Sequence, residues 1–253
     1  MFRPVLTLLL ALSSCLLRAQ GFVPCAPYGG EQAVEALFEQ ELCFPQADLE
    51  RQLKGSVYLI FSVMADGEVR DLRVWRPLTP ACDAEALRLG RLVRWHPALL
   101  GDEPRAAEHY LEVPFDAKRY LRQQEVRRCL GGYRSLADSS LRIHTPGTVH
   151  TPPSPMIPDG TKGLPAYIAA NLRYPEAAYK RDLQGTVRLD FVIEPSGSVS
   201  NLRALDEVGG GCNAEAMRLV RSICWSPATF EGRRVRCVQQ LTIRFQIPAR
   251  LDR

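Results

Sequence analysis

Hydrophobic positions along this chain fall into two periods that hand over to each other at turn residues. Val187, Leu189, Phe191 and Ile193 alternate with Thr186, Arg188, Asp190 and Val192. A period of two is that of a strand with one mainly buried face. Pro195-Ser196-Gly197 marks a turn, with Gly197 free to take positive φ. Val199 to Leu205 reads as the return strand, and the slip in its apolar phase between Val199 and Leu202 predicts a bulge. After Gly209-Gly210-Gly211 the period changes. Ala216, Leu219, Val220 and Ile223 fall at i, i+3, i+4 and i+7, one face of a helix that Trp225-Ser226-Pro227 ends. Glu231-Gly232 turns the chain into a last strand carrying Val235, Leu241, Ile243, Phe245 and Ile247. Upstream, Leu164 to Leu172 is a short apolar helical stretch, and Pro175 suits the first turn of a further helix reaching Gly185.

The same order occurs once before. An offset of 130 residues relates Pro45 to Pro175, Gly55 to Gly185, Gly67 to Gly197, Cys82 to Cys212, Trp95 to Trp225 and Phe115 to Phe245. Val57, Leu59, Phe61 and Val63 line the earlier first strand, Asp66-Gly67 its hairpin turn, and Ala86, Leu89 and Val93 its helix. The period is far too long for a solenoid repeat. Two tandem α-β-β-α-β domains follow, over 28–117 and 164–250. Each is an α+β unit with helices on one face of a small antiparallel sheet. Between them, residues 118–163 hold a charged, helix-like stretch from Lys118 to Arg128 and a segment rich in Pro, Thr and Gly from Thr145 to Gly160. That composition predicts an extended, semi-rigid tether.

Charge narrows the partners. Against 32 Lys+Arg stand 28 Asp+Glu, spread along the chain, so the net +4 describes a solvated mixed-sign surface and no nucleic-acid footprint. Residues 1–19 read as a signal peptide: Arg3 gives a positive n-region, Pro4 to Leu17 an apolar core, and Ala19 a small residue before cleavage. The apolar stretch is shorter than the roughly 20 residues a spanning helix needs, which favours cleavage over an uncleaved anchor. Leu12-Ser13-Ser14-Cys15 has the shape of a lipobox, so lipidation at Cys15 stays open as a third fate.

Export permits disulfides. Cleavage leaves Cys25, Cys43, Cys82, Cys129, Cys212, Cys224 and Cys237, an odd number with at least one thiol left over or paired between molecules. Cys212 and Cys224 begin and end one helix, roughly 18 Å apart at 1.5 Å per residue, too far for a bridge. Cys237 has the inward phase of the last strand, so a bridge in the second copy is expected to join it to Cys212 or Cys224. In the first copy Ala107 takes the place of Cys237, leaving Cys82 to pair elsewhere, for example with Cys43, or to stay unpaired.

Chemistry-bearing clusters are weak. His96, His109, His144 and His150 show no i, i+4 ligand spacing, and no Cys-x-x-Cys exists, so no metal site is expected. His144 and His150 read as exposed polar residues in or near the tether. The three glycines lack a following Gly-Lys-Ser/Thr, which makes them a turn before a helix and no phosphate cradle. No nucleophile, base and orienting group can be assembled; an enzyme, a cofactor and a small-molecule substrate are not expected.

Tyr174-Pro175, Gly185-Thr186-Val187, Ser196-Gly197-Ser198-Val199, Glu215-Ala216 and Trp225-Ser226-Pro227-Ala228, followed by an apolar last strand, occur in this order over nearly the whole second copy. The pattern resembles the TonB C-terminal domain. The first copy is a degenerate match, with Phe44-Pro45 for Tyr-Pro, Thr79-Pro80-Ala81 for the glycines, and no Gly-x-x-Val before its last strand. The resemblance implies a periplasmic binding module that takes a segment of an outer-membrane TonB-dependent transporter as an added strand on the edge of its last strand. Carried over, that edge is Gln239, Gln240, Leu241, Thr242, Ile243, Arg244 and Phe245, running on to Ile247, with Tyr174 and Pro175 shaping the adjoining surface. A rival reading has the copies pairing edge to edge, or the chain dimerising, as an envelope scaffold. A membrane-anchored energy transducer is a third, and needs an uncleaved N-terminus.

Overall fold

A computed structural model describes residues 21–124, 138, 140–157 and 161–247. The leader and Cys15 lie outside these, as do Cys129 and the end of the charged stretch. Contacts divide the chain into two compact units, residues 1–31 with 43–118, and residues 32–42 with 119–253.

The first unit opens with two short strands, β1 (Phe22–Val23) and β2 (Ala26–Pro27). Helix α1 (Gly30–Glu41) follows, burying Ala33, Val34, Leu37 and Phe38 along one face; from Gln32 on it belongs to the second unit. Helix α2 (Gln46–Glu50) leads into β3 (Lys54–Val63), β4 (Val69–Arg76) and helix α3 (Pro80–Leu92). Strands β5 (Trp95–His96), β6 (Ala98–Leu100), β7 (Glu103–Arg105) and β8 (Ala107–Asp116) complete it. The sheet order is β4-β3-β8, all antiparallel. Val57, Leu59, Phe61, Val63, Ala86, Leu89, Val113 and Phe115 are buried, the alternate strand positions and the helix face that the periods mark.

Helix α4 (Ala117–Gln124) begins the charged stretch, β9 (Ile143–His144) immediately precedes the Pro-rich segment, and β10 (Ser154–Met156) lies in it. The second unit continues with helices α5 (Gly163–Asn171) and α6 (Glu176–Lys180), strands β11 (Gly185–Ile193) and β12 (Val199–Ala204), and helix α7 (Cys212–Ser222). It ends with β13 (Cys224–Ser226), β14 (Ala228–Phe230) and β15 (Arg233–Phe245). Its sheet runs β12-β11-β15-β14, with β9 added parallel to β15. One core joins Val187, Leu189, Phe191 and Ile193 to Ala216, Leu219 and Val220 of α7, with Trp225, Ile243 and Phe245. The architecture is the expected α+β fold, twice. At and beside the Pro-rich segment, β9 pairs with β15, β10 with β13 and Thr151 with Thr229, while Pro146–Thr148 form a 3-10 turn.

The repeat extends to single backbone torsions and hydrogen bonds. The bulge sits where the phase slip put it, with Asn201 at φ 51° and its counterpart Asp71 at φ 56°. Glu85 accepts from the Cys43 N–H and from Arg88; Glu215 accepts from the Arg173 N–H and from Arg218. Where the copies differ, the difference is compensated. Gly210 takes φ 58°, and a Cβ there would come within 2.8 Å of Ala178 Cα. The first copy instead caps α3 with Thr79, which accepts from the Cys82 N–H (3.1 Å) and donates to Asp48 (2.7 Å), the residue in the place of Ala178.

Candidate functional site

Strand β15 is flanked unevenly. Along one edge, Cys237 to Phe245 pair with β11 in continuous register. At its N-terminal end, Arg233, Arg234 and Val235 also pair with β14, and Arg236 and Cys237 with β9. From Val238 to Phe245 the second edge carries no strand among the described residues. The expected edge residues Gln239 to Phe245 all fall in this stretch.

Backbone direction along the edge follows from Arg188. The Leu205 N–H donates to the Arg188 carbonyl at 2.8 Å, and the Arg188 N–H donates to the Asp206 carboxylate at 3.1 Å. Both backbone groups of Arg188 therefore point away from β15. Directly opposite residues of an antiparallel pair exchange both bonds or neither. Thr242 is opposite Arg188, so its N–H and C=O point to the open edge. By alternation the same holds for Gln240 and Arg244, while Gln239, Leu241 and Ile243 bond to β11. The side chains divide the same way. Gln240, Thr242 and Arg244 are exposed on the outer face, and Ile243 and Phe245 are buried in the core. The first copy carries Pro114 in the place of Arg244. A proline is tolerated in a ladder where its missing N–H would have faced solvent, which agrees with this phase.

Tyr174 and Pro175 adjoin the strand's end and are tied into the fold. The Tyr174 hydroxyl donates to the Leu183 carbonyl at 2.6 Å, and its ring stands edge-on to Phe245 at 5.8 Å. Burial raises the phenol above its ordinary pKa. Pro175 precedes α6 and lies under the Gly211 turn. The motif thus fixes the register of helix, glycine turn and final strand. Arg188, held by Asp206 through two side-chain bonds of 2.8 Å, has the corresponding place on β11. Arg188 and Asp206 show no local signal in the sequence, because only the hairpin register brings them together.

The expected cysteine bridge is not formed. Cys212 and Cys237 are both thiols, and so are Cys43 and Cys82. Both of the first pair face the core, but at opposite ends of the sheet. Cys212 lies by Tyr174, which packs on Phe245 opposite Gly185, whereas Cys237 is opposite Ile193. Eight residues of strand separate those positions, about 26 Å at ~3.3 Å per residue, against the roughly 7 Å a bridge allows. Cys224 is disulfide-bonded, to neither Cys212 nor Cys237. His144 also departs from expectation: it is buried, because β9 pairs with β15 and sets its ring 5.0 Å from Phe230, with His150 at 5.2 Å from the same ring. Among the described residues no group of three or more His, Cys, Asp or Glu is placed to hold a metal ion.

Comparison with known families agrees with this geometry. The model of the Gram-negative bacterial TonB protein C-terminal matches residues 40–117 and 170–247. This chain belongs to the TonB C-terminal family. Each of its two copies is matched through the final strand, so β8 and β15 occupy equivalent places in two TonB C-terminal domains. Among solved structures, the NMR solution structure of the Helicobacter pylori TonB C-terminal domain matches at 17% identity, covering 34% of this chain and 78% of that one, with a TM-score of 0.26. No curated protein matches. Among the described residues, no helix is long and apolar enough to cross a membrane.

Proposed function

We propose that this TonB-family envelope protein is a periplasmic recognition module that takes extended segments of outer-membrane TonB-dependent transporters as an added strand on β15. The observation that carries the reading is the open stretch of β15 over Val238–Phe245, where Gln240, Thr242 and Arg244 direct backbone donors and acceptors outward. An incoming strand satisfies those groups and sets alternate side chains beside the same three residues. Arg244 favours an acidic residue opposite it. The role is recognition, with no covalent step, and family membership supports it. The same reading has the leader cleaved after Ala19, so intact mass should show a chain beginning at Gln20.

Titration of the isotopically labelled chain with transporter N-terminal peptides tests the site. The amides of Gln239 to Phe245 should shift, and Thr242→Pro should abolish binding while the β11 ladder stays protected from exchange. Shifts confined to other surfaces, or full affinity in Thr242→Pro, would refute the assignment. Amides of β15 that shift with protein concentration alone would give the edge to a second copy of the chain.

A further inference from the structure

The first copy's sheet differs from the second's on its outer face. Arg73 of β4 pairs with Ile60 of β3, and Ile60 with Tyr110 of β8. Over Ile60 lies an aromatic group absent from the second copy. Trp75 stands edge-on to Tyr58 at 6.4 Å and to Tyr110 at 5.3 Å, and Arg76 lies over Tyr58. Trp75 is 57% exposed and Tyr110 48%, while Ile60 beneath is 6% exposed. The positions of Tyr58, Trp75 and Tyr110 are held in the second copy by Arg188, Leu205 and Gln240.

Strand β8 is also an edge. It pairs with β3 from Ala107 to Asp116 and carries no second strand among the described residues. Pro114 sets its phase, so Glu108, Tyr110 and Glu112 direct their N–H and C=O groups outward and Pro114 blunts the far end. The side chains of the same three residues form the outermost column of the outer face. Glu108 accepts from the Tyr110 hydroxyl and Glu112 from Ser56, and both carboxylates are exposed. The equivalent column on β15 is neutral and basic, Gln240, Thr242 and Arg244.

We infer that β8 is a second strand-docking site, selective for a basic extended peptide with Lys or Arg at two alternate positions flanking an aliphatic or aromatic residue. An added strand lies about 4.8 Å beyond β8. Its outward side chains fall opposite Glu108, Tyr110 and Glu112: two cations meet two carboxylates, and the residue between them packs on Tyr110, backed by Trp75. The pattern reads the same in either strand direction. Of the cations on β4, Arg70 is paired with Glu68 at 2.9 Å and Arg76 lies over the Tyr58 ring, and Arg73 reaches Tyr110, whereas Glu108 and Glu112 stand directly beside the added strand, so the carboxylates set the preference. The two copies then accept strands of opposite charge. This rests on the strand-addition reading of the fold, but on a different strand.

The test uses the full mature chain carrying Thr242→Pro, so that β15 is blunted and only β8 is read. The probes are Thr-Lys-Thr-Val-Thr-Lys-Thr and the same peptide with Glu for Lys. Trp75 reports directly, because Trp95 and Trp225 are both 2% exposed and a surface quencher reaches Trp75. The basic peptide should protect Trp75 from acrylamide and bind roughly tenfold more tightly than the acidic one, and Glu108→Lys with Glu112→Lys should invert that order. Equal affinities, no protection of Trp75, or an order unchanged by the double substitution would overturn the site. Protection of Trp75 that grows with protein concentration in the absence of peptide would overturn it too, by giving the edge to a second copy. A positive result here with no transporter binding at β15 in the native chain would sink the proposed function alone.

Discussion

At the scale of single residues, burial sorts the side chains that sequence alone ranks equally. Burial pushes the thiols of Cys82 and Cys237 up to about 11, while Cys43 is exposed. The thiolate is the reactive form, so a brief maleimide pulse at pH 8 should label Cys43 and leave Cys82 and Cys237 untouched until the chain is unfolded. Cys224 should stay unlabelled even then, unless reductant is added; rapid labelling of Cys237 in the native chain would contradict the packing. His109 offers a pH signature. Burial lowers its pKa below the ordinary 6.5, its ring lying 4.6 Å from Trp95 and 5.8 Å from Phe61, and Glu31 opposes the shift only in part. The unfolded chain then binds the proton more readily than the folded one. Stability of the first unit should therefore be constant above pH 6.5 and fall as pH drops from there towards the depressed folded value. In His109→Phe that loss should be absent, as read by urea midpoints from pH 7.5 to 5.

At the scale of elements, the two copies serve as each other's control. Arg244 and Pro114 share one place in the fold, and the first copy folds with proline there. Arg244→Pro in β15 should then cost under about 1 kcal/mol, since no bond to β11 is lost. Ile243→Pro, one residue back, removes a ladder bond and a buried side chain, and should cost more than about 3 kcal/mol. Equal costs would mean that the backbone phase of β15 is the reverse of that derived from Arg188. Much of this was legible beforehand. Alternation placed Val187 to Ile193, the phase slip placed the Asn201 bulge, and the 130-residue offset transferred both to the first copy. Two features were not legible, for one physical reason. The inward phase of Cys237 says which face it occupies and nothing about which end of the sheet. The strand pairings at and beside the Pro-rich segment leave no trace in its composition, because the partners, Arg236, Trp225 and Thr229, are tens of residues away. Local pattern fixes conformation and face; position along a sheet is set by long-range register.

At the scale of the whole molecule, the outer faces of the two sheets have diverged. The first copy leaves aromatics in solvent. In the second unit the outer face, at the turn end of β11, is buried and polar. Glu194 and Arg236 form a two-bond pair at 2.8 Å with side chains 1% and 4% exposed. Ser200 also donates to Glu194, and Arg236 donates to the Leu141 carbonyl at 3.2 Å. Nearby, Ser198 and Ser196 donate to Glu41 of α1, and the Asp138 N–H donates to the Arg234 carbonyl at 2.8 Å. One polar network thus fastens segments far apart in sequence, around residues 41, 138, 141–144 and 194–200, to the end of β15. The first copy has Met64 and Ala106 in the places of Glu194 and Arg236, so it has no such fastening. Arg236→Met should leave Glu194 buried without its cation and destabilise the second unit by about 3–5 kcal/mol. Adding Glu194→Leu should recover most of that loss, because a well-packed apolar pair stands in for a buried ion pair at little cost. The single variant should lose hydrogen-exchange protection first at Ile143 and His144, whose strand begins where Arg236 holds Leu141, while the amides of β3 and β8 keep theirs. Loss spread evenly over both units would show that the network stabilises the chain in general and does not fasten that segment.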